Sequence, residues 1–293
     1  MAETVAKSSL VEVLQATKIV VADGDPIARF CQPYRQIIRG MTGCSSPLMD
    51  LVASFPGLLF ALATGYGTVP SRQRCFELVE SGAALRDAAA AIGLPFWTRR
   101  LPPEAFSQPL DVLPRGTEFG RRVSAHMPAE VWKIAPWFRR VLLGAELAGE
   151  EFALWIAWRT KSMPRSRDMS RLVLIGAWAW YSRHPGSFGA ELVREPFAPT
   201  MSFRRAIEEV DIWRKRIELA AALGEGIADP WYPAGEALGY GFVPLLTIED
   251  FLAEARTMDN CLDQYAMQVR GEASRIYSIR KGGRSVANIE IGP

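Results

Sequence analysis

The chain has 293 residues, of which 49% are hydrophobic and 23% are charged; 34 basic against 32 acidic residues give it a formal net charge of +2. This composition excludes bulk disorder and a histone-like polycation, and the length suffices for one large domain or two smaller ones. Six of the basic residues are lysines, so the chain strongly prefers arginine, the residue suited to bidentate contacts with phosphate or carboxylate groups.

The cysteine and histidine content indicates a reducing compartment and no cofactor. The four cysteines form no Cys-x-x-Cys pair, and the two histidines, His126 and His184, lack the spacing of metal ligands. The N-terminus has no apolar segment typical of a signal peptide, and the stretches 48–64 and 172–181 are interrupted or too short to cross a bilayer. We therefore expect a cytoplasmic protein that does not associate with membranes.

Residues 1–227 are predicted to form a multi-helix bundle. Asp25 followed by Pro26 is typical of a helix N-terminus, and an alanine-rich segment ends at Gly93 with a proline beyond it. The segment 171–183 is apolar on almost all sides, which predicts a central position in the bundle. Apolar spacing predicts further helices at 71–80, 82–92, 129–132, 136–159 and 203–223.

The pattern changes after residue 227. The segment 228–243 is rich in proline and glycine, which predicts a linker or shaped loop. Beyond it, Thr247 and Asp250 have the spacing of a capping box, and a second helix is predicted at 259–269.

Two β-prone runs close the chain. Residues 274–281 and 284–291 are joined by Gly282-Gly283, a composition typical of a two-residue hairpin turn. The predicted fold is therefore mainly α: an N-terminal multi-helix bundle is followed by a small α+β domain with a β-hairpin at 244–293.

The segment 244–291 resembles the PcfJ-like family. The resemblance is carried by a Leu-Thr helix start, a Met-x-Asn-Cys-Leu-x-x-Tyr segment, a glycine before a serine-containing strand, and a last strand ending in Asn-Ile-Glu. The residues concerned are Met258, Asn260, Cys261, Tyr265, Gly271, Ser278 and Glu290. The chain departs from the family's pattern at Asn260, where many members have His, and at Asn288, where Thr is usual. It also stops where the family's domain is expected to continue, so the resemblance predicts an incomplete domain.

The resemblance implies a role rather than a reaction. PcfJ-like proteins are associated with conjugative plasmids and other mobile genetic elements, and the founding member is linked to DNA processing before transfer. The expected function is thus that of an accessory protein in conjugation or DNA processing, or in a related defence locus. No reaction is attached to the domain, so an enzyme is the less favoured class.

Cys261 is the motif residue with nucleophilic chemistry. The predicted helix start places it where free N–H groups favour a reactive thiolate, whereas the neighbouring Asp259 and Asp263 oppose the negative charge. Beside Leu262 and Tyr265, the same position suits a buried packing cysteine. A cysteine-dependent hydrolase or nuclease therefore remains an alternative to the structural interpretation, which we favour.

The middle of the chain is its most basic part. Residues 72–145 carry 11 basic and 7 acidic groups, whereas 201–293 carry 11 and 14. The segment 159–171 adds a basic run between tryptophan-rich helices, and such runs contact the phosphates and bases of single strands. A solvated loop is the favoured interpretation of this segment, because most of the tryptophans lie in apolar helices, and nucleic-acid binding is kept as the alternative. The candidate nucleic-acid-binding residues are Arg159, Lys161, Arg165, Arg167 and Arg171.

The sequence thus predicts a non-enzymatic accessory protein that acts through protein contacts, with weak nucleic-acid binding as a second expectation. A purely structural or regulatory interaction protein is a further alternative, which predicts an exposed apolar patch around Trp231-Tyr232 or an unpaired strand edge at 284–291.

A helix-turn-helix interpretation of 85–100 fails, because Pro102 ends the second helix too early for it to fill a major groove.

Overall fold

A computed structural model describes residues 25–110, 113–160, 169–265, 268–269 and 273–292. The predicted fold class is confirmed: the described residues form ten α-helices and a small antiparallel sheet near the C-terminus. The chain divides into two compact units, Met1–Ser166 and Arg167–Pro293. These units do not follow the predicted division at 228–243, because the last two helices of the predicted bundle belong to the C-terminal unit.

The N-terminal unit is helical throughout its described elements. Asp25 caps its first helical turn as predicted, since its side chain accepts a hydrogen bond from the Ile27 N–H at 2.9 Å. Three short 3-10 helices occupy Pro26–Arg29, Phe96–Arg100 and Pro103–Ala105. The α-helices are α1 (Gln32–Gly43), α2 (Ser46–Ser54), α3 (Pro56–Ala63), α4 (Val69–Glu80), α5 (Leu85–Ala91), α6 (Thr117–Ala125) and α7 (Val131–Thr160).

Aromatic rings fill the core of this unit. Phe60 is fully buried and lies 5.0 Å from Tyr34 and 5.4 Å from Phe106, measured between ring centroids. The Phe106 ring packs against Phe138 of α7 at 6.2 Å, in an edge-to-face arrangement. This aromatic packing connects the first helices to α7.

Helix α7 is two helical segments rather than one continuous rod. The break falls at Ala148 and Gly149, and Gly149 adopts a φ of +84°, which glycine tolerates best. The two segments fold back on each other, since the Trp137 indole donates to the Ala157 carbonyl at 3.0 Å. Sequence periodicity at 136–159 predicted one helix and missed this turn.

The described residues of the C-terminal unit form three α-helices and one sheet. Its helices are α8 (Met169–Tyr181), α9 (Phe203–Leu223) and α10 (Ile248–Met258). Its strands are β1 (Gly235–Ala237), β2 (Tyr240–Pro244), β3 (Arg275–Lys281) and β4 (Arg284–Ile291), which pair in sequence order as an antiparallel sheet. The prediction of a linker or loop at 228–243 is therefore wrong for the residues of β1 and most of β2.

Two local predictions in this unit are confirmed. The Thr247 side chain accepts from the Asp250 N–H, and the Asp250 carboxylate accepts from the Thr247 N–H, so the capping box is complete. Gly282 and Gly283 adopt φ values of +58° and +79° and close the β3–β4 hairpin. Helix α10 packs on the sheet through a core that includes Phe251, Leu245 and Ile276.

The position of α8 differs from the prediction. Val173, Leu174 and Trp180 are 43%, 42% and 38% exposed, while Trp178 on the opposite side is fully buried. The helix therefore has an exposed apolar stripe, and a central position in a bundle is wrong. Composition alone did not distinguish the buried side from the exposed one, because both sides are apolar.

The helix predicted at 259–269 does not form over 259–265; residues 268–269 are helical, and 266–267 lie outside the described residues. Asp259 adopts the left-handed conformation, with a φ of +49°, and ends α10. A short 3-10 helix at Leu262–Gln264 follows it. The carboxylate of Asp263 then forms a buried ion pair with Arg216 of α9 at 2.6 Å. Asp259 thus ends one helix instead of starting another, which aspartate can do because it tolerates this backbone conformation.

Among the described residues, no helix combines the length and hydrophobicity needed to span a bilayer.

Candidate functional site

Four arginine side chains line one cavity in the N-terminal unit. The cavity has a volume of about 670 Å³ and is lined by Arg86, Phe96, Trp97, Arg99, Arg100 and Arg115. All four arginines are exposed, whereas Trp97 is 7% exposed and Phe96 is half-buried. The cavity therefore combines an aromatic wall with a strongly cationic rim.

Three backbone features bring the cavity residues together. Arg86 lies in the first turn of α5, which ends before Gly93, where a φ of +73° turns the chain. The next helix, Phe96–Arg100, supplies four of the lining residues from little more than one turn. Arg115 follows in the loop before α6.

Trp97 anchors this arrangement. Its indole N–H donates to the Pro114 carbonyl at 2.8 Å, so the backbone next to Arg115 is fixed to the cavity wall. Its ring packs edge-to-face on Phe119 with centroids 5.5 Å apart. Gly120 of α6 permits this packing, because a Cβ at that position would lie 2.1 Å from the Trp97 Cβ.

The arginines surround the aromatic wall without acidic partners. The guanidinium carbons of Arg86 and Arg99 lie 5.2 and 5.7 Å from the Phe96 ring centroid. Arg99 is fixed by a hydrogen bond from Nε to the Ser54 carbonyl at 3.0 Å. Within the described ranges, none of the four cavity arginines forms an ion pair. The cavity is thus able to receive an anion.

The positive charge also acts on a neighbouring phenol. Burial raises the pKa of Tyr66, and Arg115 opposes that shift through its charge. The Tyr66 hydroxyl is directed to the Gly93 carbonyl at 3.5 Å. Tyr66 therefore stays protonated at neutral pH and adds no negative charge beside Arg115.

The sequence predicted the basic region that contains this cavity, but not the cavity itself. The basic region 72–145 contains all four of its arginines, but the candidate residues were placed further along the chain. Of those candidates, Lys161, Arg165 and Arg167 lie outside the described residues. Arg159 is half-buried, with its guanidinium 3.7 Å from the Trp158 ring centroid, and Arg171 is exposed on α8. Arg159 and Arg171 belong to different compact units.

The tryptophans that flank the basic segment fall into two classes. Trp155 and Trp178 are buried, as expected for apolar helices. Trp158 and Trp180 are 43% and 38% exposed. Two of the four rings are exposed, so the expectation that most of them belong to the core is wrong.

A buried carboxylate is linked by chains of hydrogen bonds to two of the motif residues, Asn260 and Ser278. Glu254 of α10 is 4% exposed and accepts one hydrogen bond on each carboxylate oxygen. Ser285 donates to Oε2 at 2.9 Å, and the Asn288 amide donates to Oε1 at 2.8 Å. Both donors belong to β4, so Glu254 joins α10 to the hairpin.

Two chains of hydrogen bonds converge on Glu254. In the first, Arg280 donates to the Ser278 hydroxyl at 3.2 Å, and Ser278 and Ser285 are hydrogen-bonded at 3.1 Å. Because Ser285 gives its proton to Glu254, Ser278 must be the donor to Ser285. In the second chain of hydrogen bonds, the side-chain amide of Asn260 donates to the side-chain oxygen of Asn288 at 2.8 Å. Every donor in both chains points towards the carboxylate.

The remaining motif residues lie outside this network. Met258 ends α10 and Tyr265 packs on the domain core, both half-buried, while Glu290 is exposed on β4. Gly271 lies outside the described residues. Cys261 is exposed, so its interpretation as a buried packing residue is wrong. The physical reason is that the chain leaves α10 at Asp259 and does not continue as the amphipathic helix that would have buried it.

Two surfaces bear on the interaction-protein alternative. Tyr232 is 59% exposed, whereas the neighbouring Trp231 is half-buried, with the Arg275 guanidinium carbon 4.5 Å from its ring centroid. Among the described strands, β4 is at the edge of the sheet and exposes Val286 and Ile289. A bulge interrupts the β3–β4 ladder opposite Ile279–Arg280, and a bulge of this kind hinders pairing with a further strand.

The described part of the chain contains no cluster of three or more His, Cys, Asp or Glu side chains arranged to hold a metal ion. Comparison with protein-family models, with curated proteins and with solved structures gives no match.

Proposed function

We propose that the protein is a non-enzymatic accessory protein of a mobile genetic element or related defence locus, which binds nucleic acid through the arginine-lined cavity and acts together with protein partners. Its association with conjugation or DNA processing rests on the resemblance of 244–291 to the PcfJ-like family. Its proposed cytoplasmic location is supported by four cysteines that are all free thiols.

The observation that carries the binding proposal is the set of four unpaired cationic side chains on one cavity. Other arginines of the same unit are neutralised: Arg29 by Glu104 at 2.8 Å, and Arg121 by Glu118 at 2.8 Å. Like charges gathered around one cavity, without acidic neighbours to offset them, create a local positive potential that favours an anion there. A bound anion accounts for this arrangement.

Phosphate is the anion that this chemistry favours. A guanidinium group presents a planar fork of N–H donors that matches two phosphate oxygens, and arginine is weakly hydrated for a cation. Several arginines at one site suit a ligand with repeated phosphates, as in a nucleic acid strand. The surrounding region 72–145 is also the most basic part of the sequence.

The cysteine-dependent alternative receives less support. Among the described residues, no side chain is hydrogen-bonded to the Cys261 thiol, and a nucleophilic cysteine requires an adjacent base. The His184 ring stacks on Trp180 with centroids 4.0 Å apart, and its Nδ1 lies 2.7 Å from the Trp180 carbonyl. This histidine is already engaged within its own helix end.

Fluorescence anisotropy with labelled single-stranded and duplex DNA, at low salt and across a salt titration, tests the proposal. The double variant R86A/R115A removes two cavity charges, while R74A/R204A removes two exposed charges elsewhere and is the matched control. We expect R86A/R115A to weaken binding roughly tenfold or more and to lower the salt slope by about 0.7 to 0.9 per arginine. The control is expected to bind nearly as the wild type does.

Charge reversal at Arg165 and Arg167 separates the cavity from the basic segment first predicted. Loss of binding in that variant, with R86A/R115A unaffected, would move the binding site to the segment 159–171. Absence of binding to either form of DNA at low salt would contradict the nucleic-acid proposal itself.

A further inference from the structure

We infer that the cavity holds one unpaired nucleotide of a single strand, with its phosphates on the arginines and its base against Phe96. This inference rests on the proposed function and narrows it to single-stranded nucleic acid.

The shape of the site argues against a duplex. Reading B-DNA requires an element that projects into a groove about 12 Å wide, and a recognition helix needs two to three turns. Here α5 has seven residues and the 3-10 helix Phe96–Arg100 has five. Both contribute to the wall of a concave cavity of about 670 Å³. That volume lies in the range of about 300 to 1,000 Å³ that encloses small ligands, and a nucleotide belongs to this size class.

The aromatic wall gives a base something to stack on. The Phe96 ring is half-buried and held in place by an edge-to-face contact with Phe55, with centroids 5.7 Å apart and planes at 87°. The neighbouring Arg86 and Arg99 also present guanidinium planes on which a base can stack. A phosphate-binding site alone has no need of an oriented aromatic ring among its arginines.

The cavity arginines form two groups, one beside the Phe96 ring and one on the rim, which fit the base and the phosphates of a nucleotide. The guanidinium carbons of Arg86 and Arg99 lie over the Phe96 ring, so a base stacks on this wall by displacing one guanidinium group or by lying on its plane. The Arg99 side chain is further restrained by the Ser54 carbonyl. Arg100 and Arg115 are exposed, and neither forms a side-chain hydrogen bond or ion pair within the described ranges. A basic rim that follows the backbone, joined to a stacking ring, is the arrangement by which proteins hold single strands without reading sequence.

An oligonucleotide carrying 2-aminopurine at one position tests the stacking step directly, because fluorescence from this base falls when it stacks on an aromatic ring. The wild-type protein is expected to bind the single strand roughly tenfold more tightly than a duplex of the same sequence and to quench the base. The variant F96L keeps an apolar side chain but lacks a ring. It is expected to lose most of the quenching and several-fold in affinity, while R86A/R115A weakens binding of every oligonucleotide.

Three outcomes separate this inference from the function on which it rests. A preference for single strands, with quenching that depends on Phe96, supports both. Equal binding of single strand and duplex, reduced by R86A/R115A but unchanged by F96L, overturns the nucleotide inference and leaves nucleic-acid binding in place. No binding of either form overturns both. The comparison of single strand with duplex uses the wild-type protein, so it remains decisive even if thermal unfolding shows that F96L does not fold.

Discussion

Asn260 donates a hydrogen bond from its side-chain amide to the side-chain oxygen of Asn288 at 2.8 Å, and these are the two positions at which the proposed PcfJ-like resemblance leads us to expect His and Thr. The Asn260 oxygen in turn accepts the Leu262 N–H at 3.2 Å. A backbone N–H can only donate, so the Leu262 N–H fixes the donor-to-acceptor direction at one end of this series of hydrogen bonds. The Glu254 carboxylate, which accepts from Asn288, fixes it at the other.

Replacing Glu254 with glutamine is expected to destabilise the protein by about 1 to 3 kcal/mol. Glutamine offers one acceptor and one donor where the structure requires two acceptors, so either the Asn288 amide or a serine hydroxyl loses its partner. Ser278 is fully buried, and a proton left unpaired there cannot be satisfied by water. Denaturant unfolding of E254Q measures the change. The control E249Q alters an exposed glutamate of the same helix and is expected to stay within about 0.5 kcal/mol of the wild type.

The Asn260–Asn288 pair is expected to be exchangeable for His and Thr only as a pair. Histidine reaches further than asparagine and threonine less far, so each single substitution misplaces one partner. Together, a histidine N–H can donate to the threonine hydroxyl, which can donate to Glu254 and preserve the direction of the chain. A double-mutant cycle of N260H and N288T should therefore show a favourable coupling of about 0.5 to 3 kcal/mol. Strictly additive effects would show that the two positions are independent.

How far the sequence predicts this fold depends on whether the signal is local. The β3–β4 hairpin was predictable because Gly282-Gly283 supplies the backbone freedom of its turn. The β1–β2 hairpin was missed because its turn contains Leu238, which adopts a φ of +53° although leucine is not a typical turn residue. Asp259 led to a wrong prediction for a different reason: aspartate is typical of helix N-termini, but here it ends α10.

The arginine-lined cavity and the hydrogen bonds of Glu254 were harder to predict, because both depend on tertiary packing. Arg99, Arg100 and Arg115 were recognisable as part of a basic region, but their convergence with Arg86 on one cavity follows from the turn at Gly93 and from the packing of Trp97. The hydrogen-bonding role of Glu254 was not predicted, because its partners belong to β4, more than 30 residues along the chain. Hydrogen-bond partners at that separation are not encoded in spacing.

Substituting Gly120 by alanine is expected to distort the arginine-lined cavity by displacing Trp97, one of its lining residues. The new Cβ would lie 2.1 Å from the Cβ of Trp97, so the Trp97 side chain and its backbone must move, at a cost of about 1 to 3 kcal/mol. Gly40 in α1 is the matched control, because a Cβ there meets nothing within 4 Å. G40A should be neutral or stabilise by roughly 0.5 to 1 kcal/mol. Thermal unfolding and DNA affinity are both measured; wild-type values of both for G120A would contradict the role assigned to Trp97.

Thiol labelling tests whether Cys261 is activated, with two other cysteines of the same chain as references. Cys44 and Cys261 are both exposed, whereas Cys75 is fully buried and its burial raises the pKa of that thiol to about 11. At a pH near 7.5 we expect iodoacetamide to modify Cys44 and Cys261 at comparable rates and to leave Cys75 unmodified until denaturant unfolds the protein. Mass spectrometry of the digested protein over time follows all three sites. A Cys261 rate more than roughly tenfold above that of Cys44 would revive the cysteine-dependent enzyme, because such acceleration is the property that an activated nucleophile needs.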